Sequence, residues 1–119
     1  MLKPDYIVGL VDGEGSFSVF LRKPRKESWN TRIECHFYIK MREDDLPLLK
    51  KVQSFFGCGS IFFQKEYRRG QRDNYRFQVS NKRDLARIIV PFFKKHRLES
   101  KRIKDFEIFC DILAHALHK

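Results

Sequence analysis

Apolar residues change their spacing along this chain, and the changes divide it into segments. Ile7, Val8, Leu10 and Val11 follow Pro4 and Asp5, which suit a helix start, and precede Gly13 and Gly15, which favour its end. From Ser16 the period becomes two: Phe17, Val19 and Leu21 alternate with Ser18, Phe20 and Arg22. A charged turn from Lys23 to Asn30 contains Pro24. Beyond it Ile33, Cys35, Phe37 and Ile39 alternate with Arg32, Glu34, His36, Tyr38 and Lys40. The two runs predict a β-hairpin.

A helical period follows Asp44-Asp45, with Leu46, Leu49, Val52, Phe55 and Phe56 at threes and fours up to Gly57. Ile61 and Phe63 then alternate with Phe62, Gln64, Glu66 and Arg68 as far as a turn at Arg69-Gly70-Gln71. After it Tyr75, Phe77 and Val79 alternate with Asn74, Arg76, Gln78 and Ser80, which predicts a second hairpin. Asn81 is placed to cap a third helix that Pro91 is expected to kink or end. Past the basic cluster Lys94-Lys95-His96-Arg97, a last helix carries Ile103, Phe106, Phe109, Ile112, Leu113 and Ala116. The predicted order is αββαββα. It is an α+β fold in which helices cover one face of a four-stranded antiparallel sheet, forming one domain over residues 1–119.

Charge says what the uncovered face would meet. Lys and Arg number 25 against 15 Asp and Glu, a formal charge of +10, which is the footprint of a polyanion binder. No apolar run is long enough for a membrane span and the N-terminus does not read as a signal peptide, so an intracellular protein is expected. Cys35, Cys58 and Cys110 are odd in number and widely spaced in apolar contexts, which suits buried free thiols.

On the first hairpin the alternation leaves Ser18, Phe20, Arg22, Arg32, Glu34, His36 and Tyr38 on the open side. The second adds Phe62, Gln64, Arg68, Asn74, Arg76 and Gln78. Arg, Gln, Asn, His and exposed aromatics are the side chains that read base edges and thymine methyls, and a two-stranded ribbon fits the major groove of duplex DNA. The turns around Lys23 and Arg69, with Lys82 and Arg83, are candidates for phosphate contacts, which position without specifying.

The candidate chemistry sits at the end of the first helix, where Asp12-Gly13-Glu14-Gly15 places two carboxylates. The C-terminal end of a helix repels anions, and a bound cation would resolve that conflict. Ile7 to Gly15, reading IVGLVDGEG, resembles the motif of the LAGLIDADG homing endonucleases and their maturase relatives, with Gly9, Leu10, Asp12 and Gly15 matching outright. Ser16 and Phe17 extend the likeness, and Phe56-Gly57-Cys58-Gly59 resembles the family's glycine pair before its third strand. The αββαββα order is the family's half-molecule, with a saddle-like sheet.

The resemblance implies a metal-dependent endonuclease that cuts double-stranded DNA. One motif in the chain implies a homodimer, with Ile7, Val8, Gly9, Val11 and Asp12 at the contact between two motif helices. It implies Glu14, where the family usually has Asp, as the metal-binding acid, with the Gly13 carbonyl beside it. Asp12 is then structural, not a ligand. Mg²⁺ or another divalent cation such as Mn²⁺ suits one carboxylate, because Mg²⁺ keeps several of its waters. Lys101, in LESKR, corresponds to the basic residue near the cleaved phosphate, as a catalytic group or a plain phosphate contact. Met41 departs from a polar Gln that some relatives carry, so either Lys40 or Arg42 takes over or catalysis is weaker. No membrane and no small-molecule cofactor are implied. A non-catalytic RNA maturase or DNA-binding regulator on the same fold is the alternative.

Overall fold

The computed structural model describes residues 1–23 and 32–117. Helix α1, Pro4–Glu14, leads into strand β1, Gly15–Arg22, which pairs antiparallel with β2, Arg32–Arg42. A 3₁₀ turn over Glu43–Asp45 opens α2, Leu46–Phe56, so the helix starts one residue after the acidic pair. Strands β3, Ser60–Gln64, and β4, Asn74–Val79, complete a sheet of order β1-β2-β4-β3, antiparallel throughout. The expected α+β architecture is the one observed. Residues 24–30 of the expected first turn, with Arg25 and Lys26, lie outside the described residues.

Register follows from burial, since a one-residue slip would turn every apolar side chain of a strand to water. Phe17 faces Phe37, and Ile39 faces Phe77, which in turn faces Ile61, all on the helix side. Phe17 stacks on Phe37 with ring centroids 5.1 Å apart and meets the edges of Phe93, Phe106 and Phe109 at 5.1 to 5.6 Å. This aromatic layer joins the sheet to the helices behind it. Leu21, on the same side, is 73% exposed.

The third helix, α3, runs through Pro91 and does not end there. It consists of Lys82–Asp84, a π-helical turn at Leu85–Ile89, and Val90–Lys95. Proline has no N–H for the helix ladder and crowds the preceding turn, and the wider turn just before it relieves both. Asn81 caps the start as expected, its side chain accepting from the Asp84 amide at 3.0 Å. The last helix, α4, spans Arg102–Leu117 and buries Phe106, Phe109 and Leu113.

The β3 alternation ends earlier than the pattern suggests. Pairing stops at Gln64, where the Asp73 carboxylate accepts the Glu66 amide at 2.9 Å in place of a strand partner. Arg68 is therefore in the β3–β4 connection and not in a strand, and is bound to Glu66 at 3.0 Å. The glycine pair has separate reasons. Gly57 takes a left-handed φ of 71° to end α2, while Gly59, at φ 90°, lies where a Cβ would come within 2.6 Å of the Phe77 ring. Gly59→Ala is expected to cost about 2 kcal/mol or more, seen as a lower urea midpoint at an unchanged slope.

Candidate metal centre and nucleic-acid interface

Glu14 ends α1 with its side chain exposed, and among the described residues no hydrogen bond or salt bridge engages it. It lines a groove of about 540 Å³ with Lys40, Met41, Arg42, Asp45, Glu66, Arg68, Gln71, Arg72 and Asn74. Several of those charges are already matched. Arg68 holds Glu66, pulling its carboxyl down to about 2, and Arg72 pairs with Asp44 at 2.8 Å. Glu14, Lys40 and Arg42 are left facing the groove without a recorded ion pair among the described residues. Met41 lies opposite Tyr75 on the core side, half-buried.

Asp12 points away from that groove. Its carboxylate accepts the amides of Glu99 and Ser100 at 2.9 Å, and although burial raises its pKa, these donors prevail and hold it below its ordinary 3.8. Asp12 is thus tied to this chain's own backbone. Ile7 and Val11 depart from the expected contact: both are fully buried in the chain's own core. An apolar helix does not announce which of its apolar faces is internal. The side left open carries Tyr6, 49% exposed, with Gly9 and Gly13, and Val8 is intermediate. A Cβ at Gly9 or Gly13 would meet no atom within 4 Å, whereas one at Gly15 would strike Val11 at 2.6 Å.

Lys101 is exposed in the connection before α4, next to Ser100, whose amide Asp12 holds. On its other side stands Arg102, which the sequence reading passed over. Arg102 donates from Nη1 to the Asp12 carbonyl at 2.7 Å and from Nε to the Gly15 carbonyl. A signal was available: a cation at the first position of a helix opposes the helix dipole and needs an answer elsewhere.

On the open face of the sheet, the register sets Ser16, Tyr38, Gln78 and Ser60 in one row, and Lys40, Arg76 and Phe62 in the next. Arg42, Asn74 and Gln64 form a third. Arg76 lies over the Tyr38 ring at 3.7 Å and donates to Gln78 at 3.2 Å, so its guanidinium is held in place. The Ser16 hydroxyl leads in lowering the Tyr38 phenol pKa, burial opposing it. Arg76 Nε and Gln64 Oε1 are buried polar atoms without a partner among the described residues. Towards the far end Glu34 is bound by Arg22 at 3.2 Å and His36 at 3.4 Å, Phe20 rests against His36, and Ser18 and Arg32 complete the face. Lys23 and Arg69 are exposed, at the rim.

A divalent cation would find one carboxylate from Glu14 and backbone carbonyl at the adjacent turn. No group of three or more His, Cys, Asp or Glu side chains converges among the described residues. That donor set fits a hard cation completing its shell with water and phosphate oxygens, and does not fit a caged zinc or calcium. Cys35, Cys58 and Cys110 are free thiols whose pKa is raised by burial. Cys35 is fully buried and the others half-buried. No helix among the described residues is long and apolar enough to cross a membrane.

Residues 7–113 match the family described as LAGLIDADG endonuclease. The chain is 36% identical over 115 residues to a Neurospora crassa protein named "Probable intron-encoded endonuclease 2", a match covering 95% of this chain but 24% of that protein. Among solved structures, the homing endonuclease I-TnaI is similar at 33% identity with a TM-score of 0.81, covering 95% of this chain and 72% of that one. I-SmaMI bound to cleaved DNA is similar at 30% identity and a TM-score of 0.81, covering 96% of this chain and 36% of that one. The chain thus spans about a quarter of its curated Neurospora relative. With motif, strand order and helix placement in agreement over nearly its whole length, the chain belongs to the LAGLIDADG endonuclease family.

Proposed function

We propose that residues 1–119 act as one endonuclease domain, half of a homodimeric, metal-dependent homing endonuclease that cuts both strands of duplex DNA at a long near-palindromic site. The observation that carries this reading is the groove shared by Glu14, Lys40, Arg42 and Asn74, where an exposed carboxylate meets the edge of an open, cation-bearing sheet face. A protein that only bound DNA would gain nothing from an acid beside phosphates. A cation held by Glu14 and the Gly13 carbonyl, Mg²⁺ or Mn²⁺, would supply charge neutralisation and a more acidic water. Glu14 orients that cation. Lys101, Lys40 and Arg42 place positive charge around the scissile phosphate, where negative charge builds up in the transition state. I-SmaMI is described on an uncleaved DNA target with calcium ions, which supports a divalent-metal requirement in the family.

Arg76, Gln64, Asn74 and Gln78, with Ser18, Tyr38 and His36, would read base edges. Arg76→Ala is expected to relax preference at one position of each half-site by about 1–3 kcal/mol, and Lys23→Ala to weaken all sequences alike, with a shallower salt slope. Binding to a randomised duplex pool reads both.

A second reading has support in the partial coverage of I-SmaMI. There a different segment or chain, not a second copy, supplies the other half of the site. The test of function is selection of bound duplexes from the pool without metal, followed by Mg²⁺ and sequencing of cut ends. Paired cuts at one position of the selected site support an endonuclease, and tight selection with no cutting would leave a binding protein.

A further inference from the structure

The two ends of the proposed site, Glu14 on α1 and Lys101 before α4, come from distant parts of the chain and are joined by reciprocal polar contacts. Asp12 gives its carboxylate to the amides of Glu99 and Ser100, and Arg102 returns its guanidinium to the carbonyls of Asp12 and Gly15. The two carbonyls that Arg102 grips lie on either side of Glu14. A guanidinium is a rigid planar fork, so gripping both fixes their separation and, with it, the course of the Gly13-Glu14 backbone between them. The α1 ladder, the Gly15 amide on the Val11 carbonyl and the pairing of Gly15 opposite Ile39 also hold this junction, but no other side-chain hydrogen bond is made to it among the described residues. Gly13 has no side chain and no neighbour within 4 Å of where a Cβ would stand, and the Glu14 side chain is exposed. Charge acts in the same direction. Arg102 sits at the start of its own helix, where a cation is disfavoured, and is directed to the C-terminal end of α1, where a cation is favoured and the local carbonyls oppose Glu14.

We propose that Arg102 is a positioning residue for hydrolysis, touching neither metal nor DNA, which holds the Glu14 carboxylate and the Gly13 carbonyl in metal-binding geometry through the carbonyls of Asp12 and Gly15. The proposal rests on the reading of Glu14 as the metal-binding acid. Groups that orient metal ligands from behind are worth about 10–100-fold in metal affinity, and a misplacement of about 1 Å can cost about 10²-fold in rate.

The test compares the wild-type chain with Arg102→Ala, Arg102→Lys and Glu14→Gln. In protein free of metal and DNA, Arg102→Ala is expected to speed amide hydrogen exchange over residues 12–16 by about ten-fold or more, leaving β2 and β4 unchanged. With the protein on its selected duplex, the Mn²⁺ concentration for half-saturation, read by calorimetry, should rise about ten-fold in Arg102→Ala. Arg102→Lys should fall between, since one amine can answer only part of the fork. Metal-free duplex affinity should stay within about two-fold. Equal Mn²⁺ affinity in wild type and both Arg102 variants would overturn the proposal. So would exchange that quickens across the whole sheet, which marks a general prop. If wild type and Glu14→Gln take up Mn²⁺ alike, the metal reading itself fails and the proposal with it, and that failure is recognised because the Glu14 control no longer differs.

Discussion

Glu14→Gln should leave a folded protein that selects the same duplex with unchanged affinity and does not cut it. Gln is nearly isosteric with Glu and occupies an exposed position where no hydrogen bond is recorded among the described residues, so neither core nor cap is disturbed. What changes is the charge that would hold a divalent cation at the end of α1. A metal ion contributes several kcal/mol of transition-state stabilisation, so its loss corresponds to roughly 10³-fold or more in rate. Single-turnover cleavage in saturating Mg²⁺, alongside metal-free binding, reads both quantities. A Glu14→Gln protein that cuts at the wild-type rate would remove the metal role of this residue. Met41→Ala, by contrast, is expected to leave the rate almost untouched, because that side chain packs towards the core side opposite Tyr75.

Gly9→Leu is expected to leave the isolated fold intact and to break the association of two copies. Glycine in a helix interior costs about 1 kcal/mol relative to alanine, and nothing within this chain requires it at position 9, where an added Cβ meets only open space. Gly13, four residues on along the same exposed side, is equally free of internal neighbours. Two such positions make sense where another backbone approaches closely. A leucine wedged there costs about 2 kcal/mol or more, and a two-fold axis imposes it twice, so association should weaken roughly 10³-fold. Sedimentation of wild type and Gly9→Leu, with thermal unfolding as the control for folding, would show it. Undiminished association in the variant would place the contact elsewhere.

The strands were readable because one face of the sheet is buried, and burial converts an alternating pattern into a fixed register; Phe17, Phe37, Phe77 and Val79 are all inward as their spacing requires. The inner and outer faces of α1 were harder. Ile7 and Val11 recur four apart and form the buried stripe, but Val8 and Leu10 widen the apolar surface so far that sequence alone does not separate own core from partner. Arg68 was misplaced because past β3 the Glu66 amide donates to the Asp73 carboxylate in place of a strand partner, which leaves no periodic trace. For Arg102 the cation at a helix start signals that an answer is needed but not where it lies. Its partners are main-chain carbonyls 87 and 90 residues away, and backbone atoms carry no residue identity for a pattern to reveal.

The association of two α1 helices around a pair of Glu14 carboxylates is most directly tested by the molar mass of the wild-type protein on its selected duplex, with Ca²⁺ in place of Mg²⁺. Two copies per duplex are expected. One copy per duplex, from a preparation that cuts both strands once Mg²⁺ is restored, would contradict it.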